Sequence, residues 1–263
     1  MTIVVSGYGA VGKLLVDKIN VSDDYQLIGI VDLLGNKGVS SFNDLSETPD
    51  VIIDFSHPKV LPSLLEYAEE NSVSLVIATT GYGTNDINLI KDASKTIPIL
   101  HTSNTSYGVN VLLSAIKSLT NQLYKDYDIE VIEKHHNQKV DAPSGTAKMI
   151  VDEINDVINP SKVVYGRNGE SKRVNNEIGV HSIRGGTIAG EHTVLFAGED
   201  EIIEIKHTAL SKSVFVNGAL KAASYIKGKP AGYYNMNDVL KGELEWMQMI
   251  LLNLSVNQPK QPL

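Results

Sequence analysis

Ile3-Val4-Val5-Ser6-Gly7-Tyr8-Gly9-Ala10-Val11-Gly12 decides the reading of this chain. A β-branched run ends in three glycines spaced G-x-G-x-x-G, and from Val11 to Ile19 apolar residues recur at helical intervals. A strand, a tight turn and a helix in that order leave backbone N–H groups and a helix N-terminus free to receive a pyrophosphate. A plain strand-to-helix turn would use the same glycines, so a second feature is needed. The next strand-like run, Leu27 to Val31, ends in Asp32, twenty residues after Gly12, where a carboxylate accepts from both hydroxyls of a ribose. Leu33 and Leu34 follow it, so no arginine is ready for the 2′-phosphate of NADPH, which Asp32 itself would repel. The expected cofactor is NADH or NADPH, with NADH favoured.

Outward from this stretch, Val51 to Phe55, Leu75 to Ala78 and Ile97 to Leu100 are also apolar almost throughout, as strands covered on both faces are. Pro58 to Asn71 and Asp86 to Ser94 carry helical spacing between them. The pattern predicts an α/β protein with an N-terminal Rossmann-type doubly wound parallel sheet over residues 1–104. After Gly108 the pattern changes. A long helical segment, Val109 to Leu123, precedes Asp128 to Lys134, whose strict alternation marks a strand with one solvated face. Ile178 to Ile183, Glu191 to Phe196 and Glu201 to Lys206 add further strands, with Gly185-Gly186 and Gly198-Glu-Asp200 as turns. These predict a second, mixed α/β domain over 105–216. Val214 to Ile226 reads as helix, and 217–240 could return to the first sheet, with hinges expected at Asn104 to Gly108 and Phe215 to Gly218. An amphipathic segment from Leu240 to Leu254 and a polar tail make 241–263 an extension of unassigned role.

Composition narrows the function. With 23 Lys plus Arg against 31 Asp plus Glu, the formal charge is −8, which repels a nucleic-acid backbone. No cysteine is present, so disulfides, thiolate catalysis and cysteine metal sites are excluded. The start, Met1-Thr-Ile-Val-Val, lacks the segments of a signal peptide, and no apolar run approaches the ~20 residues of a membrane helix. A cytoplasmic protein with no membrane or nucleic-acid partner is expected.

The densest chemistry lies in Glu133-Lys-His135-His136-Asn-Gln-Lys139-Val-Asp141-Ala-Pro-Ser144-Gly145-Thr146-Ala-Lys148. Two imidazoles, able to move protons near neutrality, follow a strand, and three lysines outnumber Glu133 and Asp141. Within a chain of charge −8 this is a local anion trap. Ser144-Gly145-Thr146 opens an amphipathic helix whose first-turn amides and hydroxyls suit a carboxylate or phosphate. Adjacent His135 and His136 rarely converge on one ion, so no metal is expected. Asp54-Phe-Ser-His-Pro58 and Ala78-Thr-Thr-Gly81 close two strands at the sheet edge where such folds bind ligands, although turn chemistry explains either alone. Arg184-Gly-Gly186 and Gly190-Glu-His192 fit an anion contact or a hairpin turn equally well.

Taken in order, these elements, with Ser106-Tyr-Gly-Val-Asn110 and Asn217-Gly-Ala219, resemble the 4-hydroxy-tetrahydrodipicolinate reductase (dihydrodipicolinate reductase) family from the fingerprint to about Leu240. The resemblance implies NAD(P)H-dependent removal of water and delivery of hydride to a cyclic hydroxy-imine, giving tetrahydrodipicolinate for lysine and diaminopimelate biosynthesis. It implies that His135 handles the catalytic proton and Lys139 is its cationic partner. His136, Lys139, Ser144, Gly145 and Thr146 would hold the substrate's carboxylates. Gly7, Tyr8, Gly9, Ala10, Val11, Gly12, Asp32, Ala78, Thr79, Thr80, Thr102, Ser103, Asn104 and Thr105 would line the cofactor. It further implies a homotetramer joined through the sheets of the substrate domains. Thr105 stands where an apolar residue is frequent in the family, and the fingerprint is one residue shorter than the common form. A nucleotide-sensing regulator that had lost chemistry would erode His135 or Lys139, and both are present; a reductase acting on another small dicarboxylate or imine would keep them.

Overall fold

The computed structural model describes residues 1–33, 35 and 37–243. The chain begins with β1 (Thr2–Ser6), α1 (Ala10–Asn20), β2 (Gln26–Val31), β3 (Val51–Asp54), α2 (Leu61–Asn71), β4 (Ser74–Ile77), α3 (Thr84–Ala93) and β5 (Pro98–His101). It continues through α4 (Tyr107–Leu123), β6 (Asp128–His135), α5 (Gly145–Asn155), β7 (Lys162–Tyr165), β8 (Glu177–Arg184), β9 (Gly190–Ala197) and β10 (Ile202–Ala209), and returns with α6 (Ser213–Ile226) and β11 (Gly232–Tyr234). Residues 236–243 are helical, and most of the 241–263 extension lies outside the described residues. Two compact units result: Met1–Thr105 with the chain from Phe215 onward, and Ser106–Val214.

In the first unit six parallel strands run in the order β11-β5-β4-β3-β1-β2. The near-continuous apolar runs are strands because helices bury them on both faces: Val4, Ile52, Leu75, Ile77 and Ile99 form one cluster with Leu61, Leu64 and Ile90. The helix expected from Pro58 starts as a 3₁₀ turn, Pro58–Val60, before α2. The sheet winds in opposite senses from β1, toward β2 and toward β3, and the crevice at such a reversal is where these folds take ligands. β11 is a strand that the sequence presents as a Gly/Pro turn. Its pairing with β5, Gly232 opposite Pro98, supplies an order that its own three residues do not encode.

The second unit is a mixed sheet in the order β10-β9-β6-β8-β7. β6 runs parallel to β8 and antiparallel to β9. Its alternation is literal: Ile129, Val131, Glu133 and His135 are buried, and the residues between them are more exposed. Ile129, Val131, Val180, Val194 and Phe196 pack beneath α4 and α5 around Ile116, Ile150 and Ile154. No helix of this unit covers the opposite face. β7, a four-residue strand unmarked by any pattern in the sequence, ends the sheet on β8.

Two glycines of the first turn are fixed by packing and the third by vacancy. Gly7 has φ +90°, and a side chain there would meet the Phe55 carbonyl oxygen at 2.6 Å; one on Gly12 would meet the Gly7 carbonyl oxygen at 2.0 Å. Nothing lies within 4 Å of a side chain placed on Gly9. Gly12→Ala is therefore expected to lose about 2–3 kcal/mol in urea unfolding, because it drives a methyl group into backbone. Gly9→Ala should lose no more than about 1 kcal/mol, the value of a favourable helix cap; equal losses would contradict this account of the turn.

Candidate active site

In the first unit a cleft of about 430 Å³ opens at the carboxyl ends of β1, β2 and β3. Gly7, Tyr8, Gly9, Asp32, Leu33, Phe55, Ser56, His57, Lys59 and Val60 line it. Gly7, Tyr8, Gly9 and Asp32 are thus brought together as the motif requires, while Ala10, Val11 and Gly12 form the first turn of α1. Asp32 is buried, with its backbone held by Val39 through an N–H···O bond of 2.9 Å. The open space over Gly9, the helix N-terminus beside it and the carboxylate at the end of β2 fit a dinucleotide's pyrophosphate and ribose.

Beneath the cleft lies Asp54, 1% exposed. Its Oδ1 accepts from the hydroxyls of Ser6 at 2.7 Å and Ser56 at 2.5 Å, and Ser56 N donates to Thr79 Oγ1 at 2.8 Å. These bonds tie the ends of β1 and β3 to the turn after β4. Burial raises the Asp54 pKa against the opposing hydroxyl bonds. Ala78 and Thr79 are buried at this edge and Thr80 is exposed. After β5, the Thr102 hydroxyl exchanges hydrogen bonds with the backbone of Asn104, and Ser103 is exposed. Thr105 is 1% exposed and donates its hydroxyl to the Phe215 carbonyl at 2.7 Å.

In the second unit a polar cluster collects at one end of the sheet, and strand register assembles it. Glu133 pairs with His192 across β9, and His135 with Arg184 across β8, all on the helix-covered face. The Glu133 carboxylate has no exposed surface and is bonded from several sides. Oε2 accepts from His135 Nδ1 at 2.6 Å and Arg184 Nη1 at 2.8 Å; Oε1 accepts from Arg184 Nη2 at 2.6 Å and Ser144 N at 3.1 Å. Burial alone would raise the Glu133 pKa, but the bonds from Arg184, Ser182 and His135 overcome it and hold the value at about 2. Burial lowers the His135 pKa, with Glu133 opposing. At neutral pH this imidazole is neutral, donates Nδ1–H to Glu133 and leaves the Nε2 lone pair available. Nε2 lies over Gly190, where a side chain would meet it at 3.1 Å.

His192, its ring 5.2 Å from that of His135, is lowered to about 4 by burial and by the neighbouring imidazole, and is also neutral. Its Nε2 bonds Ser144 Oγ at 2.9 Å, while Ser144 Oγ caps α5 by accepting from Ala147 N at 3.2 Å. The Ser144 hydroxyl is therefore occupied, whereas Gly145 is exposed with open space above it. Lys139 is half-buried and donates to Asp141 Oδ1 at 2.7 Å, with His136 and Thr146 partly exposed nearby in sequence.

Sequence reasoning missed several members of these sites. Glu133 carried a signal, a carboxylate at an inward position of an alternating strand. His192 and Arg184 stood in motifs read equally as hairpin turns. Leu33 adjoins Asp32, and Lys59 and Val60 lie just past the Asp54–Pro58 stretch, but nothing in their own residue types marks them as cleft members.

Comparison with known proteins agrees with this division. Residues 1–105 match the family model described as dihydrodipicolinate reductase, N-terminus, and residues 108–240 the one described as dihydrodipicolinate reductase, C-terminus. The chain is similar to the 4-hydroxy-tetrahydrodipicolinate reductase of Clostridium tetani, 47% identical over 239 residues that cover 88% of this chain and 93% of that one. The Clostridium novyi enzyme of the same name is 45% identical over 241 residues, covering 89% and 96%. Among solved structures, a dipicolinate-bound dihydrodipicolinate reductase from Paenisporosarcina sp. TG-14 shares the fold, with a TM-score of 0.71 at 20% identity over 89% of this chain and 97% of that one. Since both parts of the chain are matched in order by the two halves of one family, and the relatives are alike over nearly their whole length, the chain belongs to the 4-hydroxy-tetrahydrodipicolinate reductase family.

Proposed function

We propose that this chain performs its family's reaction, NAD(P)H-dependent reduction of 4-hydroxy-tetrahydrodipicolinate to tetrahydrodipicolinate in lysine and diaminopimelate biosynthesis, with His135 and Lys139 as the reacting side chains and NADH preferred. The observation that carries the roles is the Glu133–His135 bond, which fixes one imidazole nitrogen and frees the other. The bound dihydronicotinamide supplies the hydride. His135 Nε2 takes a proton from the ring carbon beside the imine as the hydroxyl, protonated from solvent, leaves as water, and returns it to that carbon once hydride has reached the carbon that bore the hydroxyl. Lys139 stands as the cation against the substrate's carboxylates and the negative charge that grows on the ring. His136 and the exposed first turn of α5 at Gly145 and Thr146 receive a carboxylate, and Ser144 supports them as the cap. Dipicolinate, the ligand of the Paenisporosarcina protein, is a cyclic dicarboxylate of this class.

On the cofactor side Asp32 favours NADH, because a carboxylate accepts from the ribose hydroxyls and opposes a 2′-phosphate. Among the described residues no helix is long and apolar enough to cross a membrane, in keeping with a cytoplasmic enzyme. A homotetramer fits the uncovered face of the second sheet, where Ile183 is 45% and Ile202 67% exposed between charged rows such as Lys134–Glu191–Lys206.

NADH oxidation that depends on the cyclic hydroxy-imine is the direct test of the reaction; its absence would overturn the proposal. His135→Gln is expected to lower kcat by about 10²–10⁴-fold with little change in NADH binding. Lys139→Ala should also raise KM, since it removes an anion contact made before the transition state. The acid limb of kcat/KM reports protonation of free His135. Activity is then present above that pKa, which lies below 6.5, and is lost as pH falls through it. Because Glu133 raises the His135 pKa, Glu133→Gln should move this limb to lower pH as well as reduce kcat; an unmoved limb would make Glu133 a fold element only. Sedimentation equilibrium should return four times the monomer mass, and a monomer at micromolar concentration would contradict the assembly.

A further inference from the structure

We infer that Lys59 is the specificity-determining cation of the cofactor cleft: its ammonium receives the 2′-phosphate of NADPH and makes the preference for NADH set by Asp32 shallow. The inference rests on the dinucleotide reading of the cleft and extends it to a residue that no motif marks.

The sequence leaves the position after Asp32 without a cation, but the cleft is not built from β2 alone. The turn after β3 supplies half of its wall, and Lys59 lies on that wall with Asp32, Leu33 and the Gly7–Gly9 turn. The backbone that carries it is fixed. The 3₁₀ turn Pro58–Val60 begins at a proline, its cap residue His57 accepts the Lys59 N–H on Nδ1 at 3.2 Å, and Val60 is buried at 3% exposure as an anchor. The side chain is exposed, and none of the ion pairs among the described residues includes it. A solvated lysine beside a buried carboxylate gives the cleft one charge of each sign. Asp32 serves a ribose that carries two hydroxyls, and Lys59 offsets the repulsion when the 2′ position is phosphorylated. Two other cations near the cleft, on α1 and on the loop after β2, are placed differently. Lys13 sits over the Tyr8 ring at 5.4 Å, and Lys37 is exposed on the loop after β2; neither lines the cleft.

The test is equilibrium binding, read without turnover. NADPH and NADH are titrated into the full chain by dihydronicotinamide fluorescence, for the unaltered protein, Lys59→Ala, Lys59→Glu and Lys37→Ala, at low and high salt. Lys59→Ala should raise the ratio of the NADPH to the NADH dissociation constant by about fivefold, the size of one partly exposed charge contact, and Lys59→Glu by more. The ratio should also grow with salt in the unaltered protein, and less so in Lys59→Ala. A ratio that Lys59→Ala leaves unchanged, or one that moves with Lys37→Ala instead, overturns the inference. If neither dinucleotide binds the unaltered chain, this inference and the cofactor reading fall together. If both bind with the expected ratios while the cyclic hydroxy-imine is not reduced, only the proposed reaction falls.

Discussion

A carboxylate removed from water has to be neutralised or fully bonded, and the fully bonded Glu133 organises the polar end of the second unit. Its oxygens bring together an imidazole, both ends of a guanidinium fork and a backbone amide at the mouth of α5. Each partner is thereby placed for a second task. His135 is locked in one tautomer, Arg184 is turned to bond the Asp141 carbonyl at 2.7 Å, and Ser144 is seated as a helix cap that bonds His192. Shifting β6 by one residue would turn Glu133 and His135 to the uncovered face and undo all of this, so the alternation of Ile129 and Val131 beneath the helices also sets the chemistry.

The first unit uses a buried carboxylate in the same way with a different electrostatic result. Asp54 gathers Ser6 and Ser56 beneath the cofactor cleft, yet its pKa is raised, whereas that of Glu133 is held at about 2. The partners account for the difference. Neutral hydroxyls lend a carboxylate part of what water gave it, and burial wins; a bidentate guanidinium offsets the same loss with a full charge. A carboxylate that only has to hold strand ends together does not need its charge. One that must orient an imidazole and raise its basicity does.

The same physics separates what the sequence discloses from what it withholds. Strands β1 to β5 are legible because burial on both faces leaves runs that are apolar except near their ends, and β6 because burial on one face leaves every second position polar or solvated. The glycine turn and Asp32 are legible since one strand and the next place them. Glu133 is visible as inward-facing, but of the residues that bond it only His135 shares its strand; Arg184 comes from β8 and Ser144 from the cap of α5, and their convergence depends on register. β11 and β7 are edge strands whose pairing partners, not their residues, make them strands. Lys59 follows the Asp54–Pro58 stretch, which is legible as a sheet-edge loop, but that this loop shares a cleft with Asp32 emerges only from the strand order.

Lys139 shows how this scaffold can hold a cation without fixing it. The loop at 136–144 is pinned at its far end, where Arg184 bonds the Asp141 carbonyl and Glu133 bonds Ser144 N. The Lys139 ammonium itself is held by the Asp141 side chain, which is 53% exposed. Lys139 lowers the Asp141 pKa, so this carboxylate is charged at neutral pH. An ion pair so open to water contributes at most about 1 kcal/mol, and salt weakens it further. Under the proposed function, a dicarboxylate at the first turn of α5 would bring a carboxylate able to share or replace Asp141, and as water left, the same ammonium would interact more strongly with the new partner. Asp141 therefore holds the half-buried Lys139 in an ion pair that can be exchanged, while the bond from Arg184 to Glu133 ends on a carboxylate with no exposed surface.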